Sequence, residues 1–427
     1  MIPLATARSE INPEFPLRLQ IVCLSALATL AYLAGVLWLW RRKGRPLAFV
    51  GALAALALAS YGINWYSYVL QPGGCCYKGL LSDNPYMLAL INNAAHGHYA
   101  SDMYDKSLPT HYPPLWFWIV GTAARWLGLD ACQAHSLAPF ATLTLLSFAL
   151  YRLGKKLGGG EAGLLACVVY LGFGGAVITY WAPGDRVFAS LDWAIYKPYE
   201  ILGALAALWW LLELPELWTR EGAWLDRKVA KLACIGTLTW LLYYPWFAIA
   251  LAAGAFATVL ARWPLHAPLP RRAVVRTAAA VLLSIFLASP YWFPYLSRAL
   301  RTGVDPNYAW GYFAVMFLDP SRTTIGLGYC GLVFGAGMLG LVRYGRRRPD
   351  ALPVLVAVGL AYAWCVSATV SYPLTGNALL SGASIFFLFP LLSVLGGFGL
   401  ADWLRGRAHA RPALLALLLS MAVLVPT

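Results

Sequence analysis

Long apolar runs separated by short polar connectors make up most of the chain. Runs of about 18 to 22 residues have the length at which an α-helix crosses a hydrocarbon core of about 30 Å. The pattern therefore predicts an all-α polytopic membrane protein with about 12 transmembrane helices. The predicted spans are residues 19–40, 46–70, 134–153, 162–181, 199–214, 232–263 (as two spans), 277–292, 323–342, 351–370, 377–403 and 412–425.

Two apolar segments depart from this simple pattern. The run from Leu232 to Trp263 is too long for one helix, and Tyr243-Tyr244-Pro245-Trp246 interrupts it near its middle. Because proline removes a backbone donor and clashes with the preceding turn, two antiparallel spans are predicted here. Pro113–Gly128 is short and aromatic and carries Arg125. It is predicted to be a helix lying at the membrane interface.

The composition supports the membrane interpretation. Hydrophobic residues make up 60% of the chain and charged residues 12%, and the mean hydropathy is +0.64. A soluble domain has about 25% charged residues, so a water-soluble globular domain is excluded. The formal net charge of +14 would point to nucleic acid in a soluble protein. Here the basic residues cluster between spans, which is how membrane topology is encoded.

The distribution of basic residues predicts the orientation. Of the 32 lysines and arginines, 22 lie in six alternate connectors, and the other ten lie on the opposite side or at the interface. The positive-inside rule then places the N-terminus and three long polar loops outside. These outer loops are residues 71–118, 182–198 and 293–322. We expect a multi-pass protein of the plasma (inner) membrane whose active site faces the periplasm or outside.

The three outer loops contain the candidate chemistry. Acids in one loop and basic residues in the others suit group transfer from a phosphate-bearing donor. In such a transfer the leaving phosphate needs cations and the nucleophile needs a base. The first loop offers Asp83, Asp102, Asp105, His96, His98, His111 and Tyr112. The other two offer Arg186, Lys197, Glu200, Arg298 and Arg322.

Structural explanations stand beside these functional ones. Charged loop residues are often merely solvated, and Asp102 or Asp105 would serve equally as a helix cap. His96 and His98 have a spacing that binds zinc in some proteins. No second cluster at metal spacing accompanies them, so substrate contact or plain loop polarity is favoured and no metal site is assigned. Lys197 and Arg322 also fit snorkelling anchors at span ends.

Asp83 is the strongest candidate for a catalytic acid or base. It lies in Leu-Ser-Asp-Asn-Pro-Tyr, where Asp-Asn-Pro favours a turn or helix start. Tyr86, Leu90 and Ile91 follow at near-helical spacing, which predicts an amphipathic helix on the membrane surface. Such a helix would hold the Asp83 carboxylate at the depth of a lipid phosphate. There it would be placed to take a proton from an acceptor hydroxyl.

Two cysteines in the first loop raise a separate question. Cys75 and Cys76 are adjacent, whereas most of the other cysteines lie inside spans. If the loop faces an oxidising compartment, one of the two is able to pair with Cys132 or with Cys330. The sequence leaves both pairings open.

The order of these motifs resembles a known superfamily. A polar loop after the first spans, an acid near its start, and Tyr112-Pro113-Pro114-Leu115-Trp116 at its end resemble the GT-C glycosyltransferases that use polyprenyl-phosphate sugars. Asp102-Met-Tyr-Asp105 together with Leu108-Pro109 is most similar to the galactan arabinofuranosyltransferases of mycobacteria and their relatives. Lys197-Pro198-Tyr199-Glu200 fits the same family.

The resemblance implies a fold and a reaction. The fold would be a single GT-C transmembrane domain over residues 1–427, with interfacial helices in the catalytic loop 71–118. The reaction would be inverting transfer of arabinofuranose from decaprenyl-phospho-arabinose to a galactan chain, in synthesis of cell-wall arabinogalactan. Asp83 matches the family's general base, and Asp102 or Asp105 matches a second acidic position. Partners would be the lipid-linked donor, the glycan acceptor and membrane lipid, with no nucleic acid.

The resemblance also has implications for the cofactor and for the length of the chain. No cofactor is certain, and a divalent cation stays a candidate, as in some GT-C enzymes. The family's arabinosyltransferases carry a C-terminal extracytoplasmic domain, for which the sequence ending at Thr427 leaves no room. Truncation or a shorter relative is the expectation.

Two rival functions remain. A GT-C enzyme moving another sugar, such as mannose from polyprenyl-phospho-mannose, to protein or lipid has the same features. A transporter or lipid-linked-sugar flippase would place ionisable residues inside its spans and often has inverted repeats. Here the acids gather in the outer loops, with Glu213 as an exception, and no repeat is evident. The pattern therefore favours a transferase over a transporter.

Overall fold

The computed structural model describes part of the 427-residue chain. Several predicted features lie outside the described residues, namely the spans at 19–40, 46–70 and 412–425, and Asp83, Asp102, Asp105, His111, Arg186 and Arg322. The described residues are 84–99, 101, 112–172, 177–179, 188–189, 197–218, 223, 225–262, 271–302, 331–347, 351–375 and 384–405.

Helices dominate the described part of the chain. One short antiparallel ribbon pairs β1 (Val177–Thr179) with β2 (Phe188–Ala189). The helices are α1 (Asn84–Ala95), α2 (Leu115–Leu127), α3 (Ala131–Gly158), α4 (Gly160–Cys167), α5 (Pro198–Glu213), α6 (Pro215–Trp218), α7 (Arg227–Arg262), α8 (Arg271–Leu287), α9 (Ser289–Thr302), α10 (Gly331–Arg347), α11 (Leu352–Thr375) and α12 (Ser384–Leu404).

Four stretches are long and apolar enough to cross a membrane. They are Ala131–Gly158, Pro198–Trp218, Arg227–Ala257 and Phe387–Leu404. Two shorter apolar helices, Gly160–Leu171 and Leu352–Trp364, accompany them. A helical membrane bundle is therefore confirmed in outline, whereas the number of twelve spans stays a prediction.

Helices α1 and α2 form a packed pair in the first predicted outer loop. Of the predicted apolar face of α1, Leu90 and Ile91 are buried and Tyr86 is half-buried, and Met87 is buried beside them. Gly121 of α2 allows close contact, because a Cβ there would lie 2.6 Å from the Ala94 Cβ. Helix α2 ends at Gly128, whose φ of +68° suits a residue without a side chain.

Helix α3 spans 28 residues and begins shortly after α2. Asp130 caps it, because its carboxylate accepts a hydrogen bond from the Gln133 N–H at 2.8 Å and Gln133 Oε1 accepts from the Asp130 N–H at 3.1 Å. At its other end Gly158-Gly159-Gly160 turns the chain into α4, and Gly159 has a φ of +88°. Helix α4 then packs back on α3.

The predicted span 162–181 is corrected by the structure. The α-helix stops at Cys167, a π-helical turn covers Val168–Gly172, and residues 177–179 form strand β1. Pairing of Val177 with Ala189 ties this segment to the predicted second loop. The all-α prediction is therefore wrong at this ribbon. Apolar length alone does not distinguish a helix from a buried strand, and β-branched Val177, Ile178 and Thr179 favour the strand.

The hairpin predicted around Tyr243 is confirmed. Tyr243 has φ −162° and ψ 97° inside α7, so the helix is interrupted there. Lys231 Nζ lies 2.8 Å from Glu213 Oε1 at one end of α5, and Gly254 packs on Leu214 at that same end. Tyr243 packs on Gly203, closer to the other end of α5. The chain therefore runs along α5 and returns, so the two halves of α7 are antiparallel.

One predicted loop boundary moves, and the last described helices pack tightly. The third outer loop was predicted to begin at residue 293, but helix α9 continues to Thr302. Helices α10 and α12 pack through small residues, because a Cβ on Gly340 would lie 1.9 Å from the Leu395 carbonyl oxygen. Such close approach of backbones is typical of helix pairs in membranes.

Basic residues from four of the six predicted connectors meet at one end of the bundle. Lys156 Nζ and Lys231 Nζ lie 2.6 and 2.8 Å from Glu213 Oε1. Arg343 pairs with Asp402 at 2.6 Å, and Arg405 donates to the Gly158 carbonyl at 3.1 Å. This end of the bundle, defined by Glu213, Lys156, Lys231, Arg343 and Arg405, is called the basic end below. Its arrangement agrees with the predicted alternation of connectors.

The Asp226–Arg276 ion pair also lies at the basic end. Partial desolvation would raise the pKa of the Asp226 carboxyl. Hydrogen bonds from the Val229 and Lys228 backbone N–H groups, and the charges of Arg276 and Lys228, outweigh it and lower the pKa below its ordinary value. The side chain of Arg276 is itself buried and pairs with this carboxylate. The pair therefore ties the start of α7 to α8.

Candidate functional site

The candidate site lies at the opposite end of the bundle, where α2, α3, α5 and the α7 kink converge. Aromatic rings fill this region. Tyr199 lies 5.3 Å from Phe117, 6.2 Å from Trp116 and 6.1 Å from Tyr243, measured between ring centroids. Tyr112 contacts Phe117 at 6.4 Å. We call this group, with its neighbour His135, the aromatic cluster.

Local sequence explains how the rings meet. Pro113 and Pro114 precede α2 and set the direction in which Trp116 and Phe117 enter the bundle. Pro198 occupies the first turn of α5, where the missing N–H is no loss, and Tyr199 follows it. The break at Tyr243 turns its ring toward α5. Two helix starts that contain proline and one helix kink thus place aromatic residues in one region.

Lys197 and Glu200 are buried beside this cluster. They are three residues apart at the start of α5, and Lys197 Nζ lies 3.9 Å from Glu200 Oε1. Their exposed fractions are 7% and 4%. The Glu200 carbonyl oxygen accepts a hydrogen bond of 2.7 Å from Trp246 Nε1, which anchors the turn to the α7 kink. A buried cation with a nearby carboxylate is the kind of group that a polar ligand engages in a site lined with aromatic residues.

His135 is the polar member of the aromatic cluster. It is 2% exposed, and its ring lies edge-on to Trp116 at 6.2 Å. Neither ring nitrogen has a hydrogen-bond partner within the described part of the chain. Buried polar atoms in native proteins are nearly always paired, so an unpaired ring calls for an explanation. A bound ligand would provide one.

The structure separates the predicted residues that it describes. Lys197, Glu200 and Tyr112 come together at the aromatic cluster. His96 and His98 are exposed at the end of α1, and His96 Nδ1 lies 2.8 Å from the Asn92 carbonyl oxygen of its own helix. Arg298 lies on α9, and its side chain is outside the described residues.

Sequence reasoning missed several residues of the cluster. His135 lies in an apolar run with no motif around it, so no pattern distinguishes it. Tyr243 and Trp246 were recognised as part of a helix break but not as neighbours of Lys197 and Glu200. The signal available was the juxtaposition of Tyr-Tyr-Pro-Trp with a predicted hairpin turn on the outer side.

Two further observations concern metals and disulfides. Within the described residues, no group of three or more His, Cys, Asp or Glu side chains is arranged to hold a metal ion. Cys132, next to the start of α3, is disulfide-bonded. Its partner is not among the side chains that the structure describes.

Comparison with known sequences relates the chain to arabinofuranosyltransferases. The family described as "Arabinofuranosyltransferase N terminal" matches residues 13–170. The galactan 5-O-arabinofuranosyltransferase of Mycobacterium tuberculosis H37Rv is 26% identical over 421 residues, covering 93% of this chain and 60% of that protein. The Mycolicibacterium smegmatis enzyme of the same name is 26% identical over 417 residues, covering 95% and 62%. The chain thus spans about 60% of the length of these relatives.

Comparison with solved structures identifies the fold. The Archaeoglobus fulgidus oligosaccharyltransferase matches 91% of this chain and 55% of its own, with a TM-score of 0.55 and 14% identity. ArnT from Cupriavidus metallidurans matches 81% and 59%, with a TM-score of 0.52 and 15% identity. The chain therefore has the GT-C fold, and its sequence is similar to that of arabinofuranosyltransferases.

Proposed function

We propose that this chain is the transmembrane portion of a glycosyltransferase that adds arabinofuranose to a galactan chain in cell-wall synthesis. The observation that carries the proposal is its similarity to galactan 5-O-arabinofuranosyltransferases along more than nine-tenths of its length. The GT-C fold supports the proposal, because proteins of similar fold have been solved with polyprenyl phosphates bound.

The donor is a polyprenyl-phosphate-linked arabinofuranose, for which decaprenyl-phospho-arabinose is the candidate. Proteins of the same fold were solved with a dolichol-phosphate in the Archaeoglobus fulgidus enzyme and with undecaprenyl phosphate in ArnT. The lipid phosphate is a good leaving group that needs no protonation. A cation near it and a base for the acceptor are therefore sufficient.

The proposed reaction is an inverting displacement at the anomeric carbon. The acceptor hydroxyl oxygen attacks C1 of the arabinofuranose, Asp83 takes the hydroxyl proton, and the C1–O bond to the lipid phosphate breaks. Lys197 is our candidate for contact with the leaving phosphate, with Arg186, Arg298 and Arg322 as further candidates. Asp102 or Asp105 is our candidate for the second acidic position of the family. A divalent cation is a further candidate for contact with the leaving phosphate.

The position of α1 supports Asp83 as the base. Helix α1 begins at Asn84, directly after Asp83. The buried face of α1, with Met87 and Ile91, belongs to the same apolar cluster as Trp116 and Tyr199. The start of α1 is thereby attached to the group of helices that carries the aromatic cluster. The outward orientation of this end remains a prediction from the basic residues.

A transfer assay tests the proposal. Membranes containing the chain are incubated with decaprenyl-phospho-arabinose and a short galactan acceptor, and product is measured for the unmodified chain and for Asp83→Asn. We expect turnover to fall by about 10²–10⁴-fold, the usual contribution of a general base. Unchanged turnover in Asp83→Asn would refute the base assignment.

Asp130→Asn is the matched control. Asp130 is also an acid at a helix start in the outer region, but it caps α3 through Gln133. Since asparagine caps helices about as well as aspartate, turnover should stay within a few-fold of the unmodified chain. A mannosyl donor forms the second arm of the assay. Transfer of mannose without transfer of arabinose would replace the proposal with the rival glycosyltransferase.

A further inference from the structure

A long apolar groove runs along the outside of α3. It has a volume of about 1010 Å³ and lies between α2, α3, α5 and the first half of α7. Leu145 and Phe148 of α3 line it, opposite Leu205 and Trp209 of α5 and Leu238 of α7. The lining is almost entirely hydrocarbon. The side chains of Leu145 and Phe148 are 54% and 49% exposed, so the groove opens sideways.

The groove extends along nearly the whole of α3. Its lining includes Ala134 near one end of that helix and Lys156 near the other. At about 1.5 Å per residue, this stretch is about 33 Å long, close to the thickness of a bilayer core. A laterally open, apolar groove of this length fits a lipid chain better than a soluble ligand.

Charge is present only at one end of the described lining. Arg152, Lys155, Lys156 and Lys231 line the groove at the basic end, with Glu213 as the one acid among them. Lys156 and Lys231 are both held by the Glu213 carboxylate. The lining thus carries a net charge of +3, from four cations and one anion. This positive charge favours binding of an anion at the basic end of the groove.

Of the four cations that line the groove, Arg152 and Lys155 have no carboxylate partner within the described part of the chain. The Arg152 guanidinium lies over the Phe148 ring at 5.8 Å, and the Lys155 ammonium lies 5.9 Å from the Tyr151 ring. Both side chains fold back along α3. Because Phe148 lines the groove, the Arg152 guanidinium is held where hydrocarbon and polar surface meet. Cations in this position pair with lipid phosphates.

Trp209 marks the same depth. It is 37% exposed, it lines the groove, and its Nε1 donates to Glu213 Oε1 at 2.9 Å. Tryptophan is enriched at the level of lipid headgroups, where its ring lies in hydrocarbon and its N–H lies in polar surroundings. The ring and the cations together indicate a headgroup layer at this end.

We propose that the groove binds an anionic glycerophospholipid of the leaflet at the basic end. Its phosphate contacts Arg152 and Lys155, and its acyl chains lie along the Leu145 and Phe148 face of α3. The proposed headgroup position is separate from that of the donor phosphate, although the groove extends to Trp116 of the aromatic cluster. The donor phosphate would lie near Lys197 at the aromatic cluster, whereas the described lining of the groove has no charged residue at its Trp116 end. Charge complementarity therefore requires the headgroup to lie at the basic end.

Lipid retention tests the proposal without any measurement of sugar transfer, so its failure is distinguishable from failure of the proposed function. The full chain is purified in detergent, supplied with phosphatidylglycerol or phosphatidylcholine, and analysed by native mass spectrometry. We expect at least ten-fold preferential retention of phosphatidylglycerol. Arg152→Gln combined with Lys155→Gln should abolish most of that preference. Ala141→Trp, which fills the groove without changing charge, should reduce phosphatidylglycerol binding as well.

Lys228→Gln is the matched control. Lys228 is a cation of the basic end that pairs with Glu216 at 3.4 Å and does not line the groove, so its loss should leave retention unchanged. Equal retention of the two phospholipids would overturn the proposal, as would phosphatidylglycerol binding that survives both the double variant and Ala141→Trp. Displacement of phosphatidylglycerol by equimolar decaprenyl phosphate would also overturn it, since the groove would then belong to the polyprenyl lipid.

Discussion

His135 combines deep burial with two unpaired ring nitrogens inside the aromatic cluster. A buried polar group without partners costs about 1–3 kcal/mol. Leucine has a similar size and no polar atoms, so we expect His135→Leu to raise the midpoint of thermal unfolding or leave it unchanged. If the ring contacts substrate, turnover in the arabinofuranose transfer assay should fall at least ten-fold. A thermal-shift measurement and the assay, run on the same preparation, provide both results.

Ser393→Ala is the control for this prediction. Ser393 of α12 is also buried, and its hydroxyl has no hydrogen-bond partner within the described residues, but it is not part of the aromatic cluster. Its replacement should preserve both stability and turnover. Full turnover in His135→Leu would mean that the ring serves packing alone. A large loss of stability would contradict the assignment of an unsatisfied polar group.

At the scale of residues, the sequence identified charge but not its pairing. Lys197 and Glu200 were predicted as substrate contacts because they lie in an outer loop, and the structure adds that they are buried together at 3.9 Å. That pairing follows from the helix start at Pro198, which places positions three apart on one face. His135 could not be predicted, since burial beside Trp116 depends on how α2 docks against α3.

At the scale of elements, contact between α10 and α12 depends on glycine. An alanine Cβ at Gly340 would lie 1.9 Å from the Leu395 carbonyl oxygen, and backbone does not yield as a flexible side chain does. We expect Gly340→Ala to separate the two helices and to lower the free energy of unfolding by about 2–3 kcal/mol or more. Thermal unfolding of the purified protein, followed by intrinsic fluorescence, measures this loss.

Gly335 provides the control in the same helix. It is exposed, and a Cβ there would meet nothing within 4 Å. Because alanine favours helix over glycine by about 1 kcal/mol, Gly335→Ala should leave stability unchanged or raise it. Equal destabilisation by both substitutions would show that glycine acts through helix flexibility and not through close packing.

Helices were predictable from the sequence where apolar periodicity or a proline allowed only one arrangement of the chain. The hairpin at Tyr243 followed from a run too long for one span and a proline near its middle. Helix α2 was predicted as a short helix from its length and aromatic content, and its interfacial position stays a prediction. The β1–β2 ribbon and the extension of α9 to Thr302 were not predictable in the same way. The ribbon depends on pairing across a loop, and the polar end of α9 resembles a loop in composition.

At the scale of the molecule, the bundle has two chemically different ends. Ion pairs of Lys156 and Lys231 with Glu213 connect the ends of α3 and α5 to the start of α7, and the Arg343–Asp402 pair connects the ends of α10 and α12. The aromatic cluster and the buried Lys197–Glu200 pair occupy the opposite end. The proposed lipid groove runs between them. This polarity agrees with the alternation of basic connectors, which required no knowledge of packing.

The orientation of these two ends in the membrane is the last prediction. The sequence puts 22 of the 32 basic residues in alternate connectors, and Lys156, Lys231 and Arg343 of these connectors lie at the basic end, so the positive-inside rule places that end in the cytoplasm. Exposed positions at each end allow a direct test: His98 follows α1, and Arg346 lies in the last turn of α10. A membrane-impermeant maleimide should label His98→Cys on intact cells and Arg346→Cys only after permeabilisation, in each case above the signal of the unmodified chain. The reverse pattern would turn the aromatic cluster toward the cytoplasm and remove the outer-face reaction, whereas labelling of both variants on intact cells would contradict the bundle as a membrane-spanning unit.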